Sequence, residues 1–374
     1  MNYHAMNWVK HVFRFCLLFV LLTACQNTGE SGIQKPSSML EPAEGNQDAR
    51  GFEIRECSEG HELLIFDPWN RTDTFAFYTI DKSFQEMERW AVFSTTHIGF
   101  LDALGEADRV VGSTSPDRIY HKELREKYES GEILRIGTDM EYNIESLHKL
   151  QPDLLIQSAF PGQKAKDSRI VESGINLIYL MEWLEPTALG RAEWIRVFGL
   201  LLGKSEMADS IFRNVKVQYE QLRDLVNTKE GKKPQVLVGN SFKGTWYMPG
   251  GNSYLSALAE DAGFSYPYSS TDERGSLPLS FELVAHEFKQ AEFWINVSAK
   301  DLDFLLKEDE RYGLFKAFKD KHVYTFNKRV RHQIANDYWE SGVVNPHLVL
   351  KDLISISFPD LIDNYELYYY KRLE

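Results

Sequence analysis

Two arginines, Arg329 and Arg331, lie in a short basic segment of a chain whose formal net charge is -13. The segment runs from Asn327 to His332 and follows an apolar run ending at Phe326, which predicts a strand. Guanidinium groups hold carboxylate, catecholate or phosphate oxygens in paired hydrogen bonds. The two arginines are therefore candidates for binding an anionic ligand. A basic loop that faces solvent gives the same pattern and stays an alternative.

Other candidate ligand-binding residues follow predicted strands, because ligands bind outside the carboxyl ends of the strands in parallel sheets. An imidazole at a helix start can donate to an anion, and aromatic side chains can form the wall of a pocket. These further candidates are His97, Ser158, Phe160, Trp246, Tyr247, Arg274 and Trp339. An ordinary helix-start role for His97 and simple core packing for Trp246 remain open alternatives.

The sequence lacks the common catalytic motifs. It contains no G-x-S-x-G, no Walker loop and no G-x-G-x-x-G, and His286-Glu287 is followed by Gln290 where a zinc motif needs a second histidine. The ten histidines form no tract of the kind that binds free zinc. We therefore predict a binding protein rather than an enzyme, with no catalytic residues, metal ligands or cofactor.

Two glutamates occupy corresponding helix starts in the two halves of the chain. Glu145 follows Asn143 and Glu282 follows Ser280, and each predicted helix leads into an apolar run. Asn and Ser side chains accept hydrogen bonds from the free backbone N–H groups of a helix start, where the helix dipole also favours a negative charge. We therefore expect two lobes, each presenting one carboxylate.

This arrangement resembles the substrate-binding proteins of bacterial ABC importers for iron-siderophores and cobalamin. The similarity extends from about residue 89 to 361 and includes residues 101–105, 150–156, 174–176, 202–203 and 345–361. In that family, one glutamate of each lobe docks onto arginines of a dimeric permease, which works with an ATPase. The resemblance implies that Glu145 and Glu282 are the docking residues. Each glutamate could instead be an ordinary helix-start residue.

The predicted fold class is α/β, with two Rossmann-like lobes that contain parallel sheets and are joined by one long α-helix. The resemblance implies this class III periplasmic binding protein architecture, with a ligand cleft between the lobes. A helical repeat predicts the long helix at about 23 residues, with Ser205 as its cap. The repeating residues are Phe212, Val215, Tyr219, Leu222 and Val226.

The predicted domain boundaries follow from these elements and from the amino terminus. A signal peptide covers residues 1–24, a flexible tether 25–50, the N-terminal lobe 51–186, the linking helices 187–230 and the C-terminal lobe 231–374. Short β-rich runs between residues 51 and 80 predict two or three extra antiparallel strands on the first lobe.

The amino terminus predicts export and lipid anchoring. Lys10 and Arg14 precede an apolar stretch, residues 15–24, that is too short for a bilayer requiring about 20 residues. The stretch ends in Leu-Thr-Ala-Cys, which resembles the bacterial lipobox, so Cys25 is the predicted lipidation site. An ordinary signal peptide with an incidental cysteine is the alternative. We expect a periplasmic lipoprotein of the cell envelope, anchored to a membrane through its N-terminal lipid.

The composition and the resemblance together define the predicted function. The acidic balance opposes binding to nucleic acid, and 43% hydrophobic residues suffice for two cores. We expect a monomer that delivers a ferric siderophore to an ABC permease, because arginines with aromatic residues suit such a ligand. Cobalamin or heme is the alternative small-molecule metal chelate. A surface lipoprotein without a transport role and a metal-dependent enzyme are weaker alternatives.

Overall fold

The computed structural model describes residues 45–69, 73–138 and 141–374, with the side chain of residue 166 excepted. The predicted signal peptide, Cys25 and most of the predicted tether lie outside the described residues. Among the described residues, no helix is both long and apolar enough to cross a membrane.

The first sheet is the antiparallel extension that the sequence predicts. Its strands, in order across the sheet, are β1 (Phe52–Cys57), β2 (Gly60–Phe66) and β3 (Thr74–Ile80). Phe52, Leu63 and Phe75 are buried in the same apolar core as the side chains of the following lobe. The extension is therefore part of the first lobe.

A five-stranded parallel sheet forms the centre of the first lobe. Its strands are β4 (Trp90–Val92), β5 (Val110–Ser113), β6 (Leu134–Arg135), β7 (Leu154–Ser158) and β8 (Asn176–Leu180). They lie in the order β6-β5-β4-β7-β8, and all neighbouring pairs are parallel. Trp90 and Val92 face one core and Ala91 faces another, so both faces of the sheet are covered.

This strand order changes direction between β4 and β7, and a crevice at such a point is the usual ligand position in open parallel sheets. The helices that follow the strands are α1 (Thr95–Ala103), α2 (Lys122–Glu129), α3 (Ile144–Leu150) and α4 (Gln163–Glu172). Asn143 caps α3 as predicted, because its Oδ1 accepts a hydrogen bond from the Ser146 N–H at 2.9 Å.

Three helices join the lobes: α5 (Ala188–Glu193), α6 (Ile195–Leu202) and α7 (Ser205–Asn227). The 23 residues of α7 match the predicted length. Phe212 is buried in the core of the first lobe, whereas Tyr219 and Val226 are buried in the core of the second, so α7 spans both. The predicted cap was wrong: Ser205 is already inside the helix, and Lys204 precedes it without a side-chain cap.

The second lobe has shorter strands than the first. They are β9 (Val236–Val238), β10 (Ser241–Phe242), β11 (Thr245–Pro249), β12 (Ser276–Leu279), β13 (Phe293–Ile295), β14 (Tyr324–Thr325), β15 (Val330–Arg331), β16 (Ala335–Asn336) and β17 (Lys371–Arg372). Its helices are α8 (Tyr254–Asp261), α9 (Phe281–Phe288), α10 (Leu302–Glu308), α11 (Lys316–Lys319), α12 (Asp337–Glu340) and α13 (Pro346–Ser357).

Parallel pairing in the second lobe is centred on β9 and β13, and single parallel bridges extend it to Ser265 and Val323. The antiparallel sheet β10-β11-β12 lies beside this core and was not predicted. Trp294 of β13 and Phe281 of α9 are buried in the second core. The α/β class with two lobes is confirmed, although the second lobe carries more antiparallel pairing than the sequence indicates.

Residues 45–51, which we call the strap, are bound to the linking helices. The buried carboxylate of Glu193 accepts hydrogen bonds from the backbone N–H groups of residues 47, 48 and 49 at 2.7–2.8 Å. Glu185 accepts those of residues 50 and 51 at 2.9 and 2.8 Å. Asp48 also forms an ion pair with Lys216 of α7 at 2.7 Å. The tether boundary predicted at residue 50 is therefore too late, because these contacts begin earlier.

Candidate ligand-binding cleft

The carboxyl ends of three strands in the first lobe present a row of aromatic side chains. Phe93 follows β4, Phe160 follows β7, and Trp183 follows β8. The ring centroids of Phe93 and Phe160 are 5.8 Å apart, and those of Phe160 and Trp183 are 5.2 Å apart. All three rings are half-buried. They form one aromatic wall across the point where the strand order changes direction.

A second aromatic group comes from the other lobe. The rings of Phe326, Tyr338 and Trp339 contact one another, with centroid distances of 4.9–5.4 Å. Phe326 follows β14, and the other two belong to the short helix α12. Trp339 is 47% exposed, whereas Tyr338 is buried. An exposed tryptophan held by two packed rings is a rigid apolar surface for a ligand.

A cavity of about 40 Å³ lies between the two lobes and is lined by Trp183 of the aromatic wall and by Tyr338 and Trp339 of the second aromatic group. Its lining residues are Thr96, Glu182, Trp183, Ala188, Arg191, Tyr254, Tyr338, Trp339, Gly342, Val343 and Pro346. A larger depression on the other side of Trp339 includes Phe326 and Val330. Mostly apolar linings with a few polar groups are typical of small-molecule sites.

Arg191 is the cation of this cavity. Its Nη2 donates to the carbonyl oxygen of Trp183 at 2.7 Å, and its Nε donates to the carbonyl oxygen of Glu185 at 3.3 Å. The guanidinium lies 4.0 Å from the centroid of the Tyr254 ring. Burial lowers the pKa of Arg191, and the neighbouring Tyr254, Tyr338 and carboxylates act in the opposite direction. Because an arginine in a protein stays protonated, the cavity holds a fixed positive charge.

Glu182 is the anion of the same cavity and is only 1% exposed. Its Oε1 accepts a hydrogen bond from the Thr96 hydroxyl at 2.7 Å and lies 3.5 Å from His97 Nε2. Burial by itself raises the pKa of Glu182, but the interactions with His97 and Thr96 outweigh burial and lower it. The carboxylate is therefore ionised, with Arg191 lining the same cavity.

The two lobes touch beside the cavity. The carboxylate of Glu340, in α12, accepts hydrogen bonds from the backbone N–H groups of Tyr120 and His121 at 2.7 and 2.8 Å. A Cβ placed on Gly99 of α1 would lie 2.0 Å from the carbonyl oxygen of Glu340, so glycine is needed for this approach. The contact closes one side of the cleft.

Both arginines of the basic segment belong to this contact between the lobes. Arg331 Nη1 donates to the carbonyl oxygen of Tyr120 at 3.1 Å, and the guanidinium lies 4.4 Å from the Tyr120 ring centroid. Arg329 pairs with Asp337 of its own lobe, and its guanidinium lies 4.3 Å from the Tyr368 ring centroid and 5.5 Å from that of Tyr120. The structure therefore places Arg329 and Arg331 next to the cleft but already occupied by protein partners.

Trp246 does not line the cleft. It is 0% exposed and lies in the core of the second lobe, where its indole N–H donates to the carbonyl oxygen of Val238 at 2.8 Å. The predicted ligand platform is corrected, because β11 alternates its side chains and turns Trp246 inward. Tyr247, the next residue, is 52% exposed on the outer face of the same strand.

The remaining candidates have different positions. Phe160 belongs to the aromatic wall, whereas Ser158 is buried in β7. His97 is also fully buried, below Thr96, and completes the capping arrangement of α1 with Ser94. Arg274 is exposed in the loop before β12. Of the predicted ligand-binding residues, Phe160 and Trp339 contribute to the two aromatic groups.

Glu145 and Glu282 are both exposed in the first turns of their helices. Ser280 caps α9 as predicted, although its hydroxyl is 3.4 Å from the Leu283 N–H. Arg311 lies 3.3 Å from Glu282 Oε1. Hydrogen bonds from its own backbone N–H and from Ser280 lower the pKa of Glu282. Both carboxylates are thus available at the surface.

Sequence reasoning missed most of the polar lining of the cavity. Glu182 and Trp183 directly follow β8, so the rule that identified Phe160 could also have found them. Arg191 and Tyr254 had no such signal, because Arg191 lies in the last turn of α5 and Tyr254 begins α8, and both helices were treated as scaffold. In residues 45–374, apart from those that the structure leaves undescribed, no three His, Cys, Asp or Glu side chains gather in a metal-binding arrangement.

Two lobes, a parallel sheet whose strand order changes direction, one long connecting helix and a cleft between the lobes define a solute-binding protein of the two-lobed type. The periplasmic binding protein family model matches residues 91–330. The chain belongs to this family, whose members bind solutes for ABC importers.

Sequence relatives carry the word lipoprotein in their names. An uncharacterized lipoprotein of Methanocaldococcus jannaschii is 25% identical over 340 residues, which cover 87% of this chain and 80% of the relative. A second uncharacterized lipoprotein of the same organism is 26% identical over 266 residues, covering 66% of this chain and 64% of the relative.

Solved structures share the fold. Ceue of Helicobacter pylori with Ni(II) bound has a TM-score of 0.60 at 16% identity, covering 81% of this chain and 91% of that protein. A periplasmic heme-binding protein of Pseudomonas aeruginosa has a TM-score of 0.59 at 16% identity, covering 77% of this chain and 98% of that protein. At this identity the similarity concerns the fold alone, and it agrees with the predicted two-lobed architecture.

Proposed function

We propose that this chain is the solute-binding component of an ABC importer and carries a metal chelate, with a ferric siderophore as the first candidate. The observation that supports this most is the cavity between the lobes, where two aromatic groups flank the guanidinium of Arg191. Aromatic rings provide contact area for a large chelate, and an arginine suits the oxygen atoms of hydroxamate, catecholate or carboxylate groups.

Cobalamin or heme is the second candidate, because the aromatic wall of Phe93, Phe160 and Trp183 suits a flat ring system equally well. Arg329 and Arg331 support a siderophore ligand less strongly than the sequence suggests, since Arg329 already contacts Asp337 and Arg331 already contacts Tyr120. We therefore propose that Arg191 binds the anionic part of the ligand. We propose no catalytic activity for the cavity.

We further infer that Glu145 and Glu282 dock onto the permease. Each is exposed at a helix start, one on each lobe. A dimeric permease offers two equivalent surfaces, and one carboxylate per lobe matches that symmetry. The anchor to the membrane is proposed at Cys25, and the names of the relatives support a lipoprotein in the cell envelope.

Binding is tested by calorimetric titration of the purified domain, residues 45–374, with ferric siderophores, cobalamin, heme and free metal ions. We expect a dissociation constant of about 1 μM or tighter for one chelate, which corresponds to about -8 kcal/mol. Arg191→Ala should weaken that binding about ten- to hundred-fold, because a charge-assisted hydrogen bond contributes roughly 1.5–3 kcal/mol. Arg274→Ala is the matched control, since Arg274 is exposed and outside the cavity lining. Binding of a bare ion alone would overturn the proposal.

Docking is tested by uptake in cells that carry charge-reversed variants. Glu145→Lys with Glu282→Lys should abolish uptake of the bound chelate and leave its affinity for the purified protein unchanged, because neither residue lines the cavity. Glu230→Lys, at another exposed position, serves as the control. Normal uptake by the double variant would show that these glutamates do not dock.

A further inference from the structure

The cavity is lined by a buried hydrogen-bond acceptor and a buried hydrogen-bond donor that have no partner within the described part of the chain. The Oε2 atom of Glu182 accepts no hydrogen bond, and the indole N–H of Trp183 donates none. Arg191 uses Nε and Nη2 on carbonyl oxygens, which leaves Nη1 for other partners. An unpaired buried polar atom destabilises the fold, so an unpaired buried atom in a native protein usually binds a ligand or an ordered water.

Glu182 is held firmly in this position. The Thr96 hydroxyl fixes Oε1 at 2.7 Å, and the fully buried His97 lies behind the same oxygen. The main chain at Glu182 forms a short 3-10 turn directly after β8, which fixes the start of the side chain. Its free oxygen is therefore presented by a rigid group, which is what selective recognition requires.

We propose that Glu182 is a second ligand-binding residue, which accepts a hydrogen bond from a protonated amine of the ligand. Arg191 and Trp183 donate to an acidic oxygen of the same ligand. The inference rests on the proposed function, and it narrows the ligand to a chelate that carries an ammonium group beside the anionic oxygens that hold its metal.

This assignment changes the specificity expected of the cleft. A purely anionic chelate would place negative charge beside the buried carboxylate of Glu182, and like charges in a poorly hydrated site repel strongly. A chelate that carries an ammonium group beside its metal-binding oxygens satisfies both charges at once. Glu182 therefore selects against polyanions, while Arg191 retains the acidic part.

The test compares two ferric trihydroxamates that differ in the relevant group. Ferrioxamine B is linear and ends in an ammonium, whereas the macrocycle ferrioxamine E has none. Calorimetry with the domain of residues 45–374 should show that the ammonium chelate binds at least about tenfold more tightly than the macrocycle, because a hydrogen bond between charged groups is stronger than one between neutral groups. Glu182→Gln should remove that difference and leave the affinity for the macrocycle nearly unchanged.

Two further variants separate recognition from folding. Glu182→Asp keeps the negative charge, but the shorter side chain holds the carboxylate farther from the ligand. This variant should therefore retain a reduced preference for the ammonium chelate. Glu260→Gln, at an exposed position of α8, should behave as wild type. Thermal unfolding of each variant identifies any loss of fold.

The outcomes distinguish the inference from the function on which it rests. Equal binding of both chelates by the wild type overturns the role of Glu182 and leaves the chelate-binding function intact. An equal loss of both chelates in Glu182→Gln also overturns it, since the residue would then only support the fold or a bound water. If neither trihydroxamate binds and the chelate that does bind carries no ammonium group, the proposed role of Glu182 is overturned.

Discussion

The buried carboxylate between the lobes should make the stability of this protein depend on pH. Glu340 is 4% exposed, and burial raises its pKa from 4.5 to about 7, with Asp337 adding to the shift. The backbone N–H groups of Tyr120 and His121, and the charge of His121, act against it. A pKa difference of this size between the native and unfolded states corresponds to roughly 3 kcal/mol in the free energy of unfolding.

The sign follows from the direction of the shift. Between pH 4.5 and about 7, native Glu340 keeps a proton that the unfolded chain has released. The free energy of unfolding therefore contains a contribution that is complete below pH 4.5 and is lost as the pH rises through about 7. Above that pH the carboxylate is ionised in both states, and the contribution no longer changes.

Glu340→Gln isolates this contribution. Glutamine keeps the size of the side chain but turns an amide N–H₂ toward one of the two backbone donors, which costs about 1–3 kcal/mol. Urea unfolding at pH 5 should show the wild type to be more stable than the variant, and this difference in the free energy of unfolding should fall by roughly 2.5 kcal/mol at pH 8, so that it nearly vanishes or reverses. Glu230→Gln, at an exposed position, should give a curve parallel to wild type. A gap between wild type and Glu340→Gln that stays constant over this range would refute the reasoning.

Three further outcomes follow from the same structure. Glu193→Ala leaves three backbone N–H groups of the strap without an acceptor, which costs about 1–3 kcal/mol for each unpaired N–H group. Calorimetry should therefore show a clearly lower melting temperature, and unchanged melting would contradict the strap contacts. Gly99→Ala places a methyl group 2.0 Å from the Glu340 carbonyl oxygen, so hydrogen exchange of α1 and α12 should accelerate, and unchanged exchange would count against the lobe contact. Cys25→Ser should move the protein from the membrane to the soluble fraction, and full membrane retention would rule out the lipid anchor.

Long and strongly patterned elements could be predicted from the sequence. The apolar repeat of α7 gave its length because Phe212, Tyr219 and Val226 are buried on one stripe of the helix. The short strands of the second lobe were harder. Strands β10 and β15 have only two residues each, so their pairing depends on tertiary contacts rather than on a local pattern.

The site was predictable only where a local rule applied. Phe160 follows a recognisable strand and lies in the aromatic wall. Trp246 also follows a strand, but it belongs to β11, the second strand of a hairpin, and its side chain faces the core. The sequence does not indicate that β11 pairs with β10 and β12. Arg329 and Arg331 were predicted to bind ligand, but in the folded chain their partners are Asp337 and Tyr120, and no local pattern in the sequence indicates those contacts. Charge alone cannot distinguish an arginine that binds ligand from one that joins two lobes.

The position of the metal in a complex shows whether the ligand binds between the lobes. Crystals of the domain grown with the chelate that binds most tightly can be measured at the iron absorption edge, which locates iron independently of the rest of the ligand. We expect a single iron peak between the lobes, with the chelate in contact with Trp183, Arg191 and Trp339. A peak in the depression of the first lobe beside Tyr142 and Gln163, or on the outer surface, would contradict it.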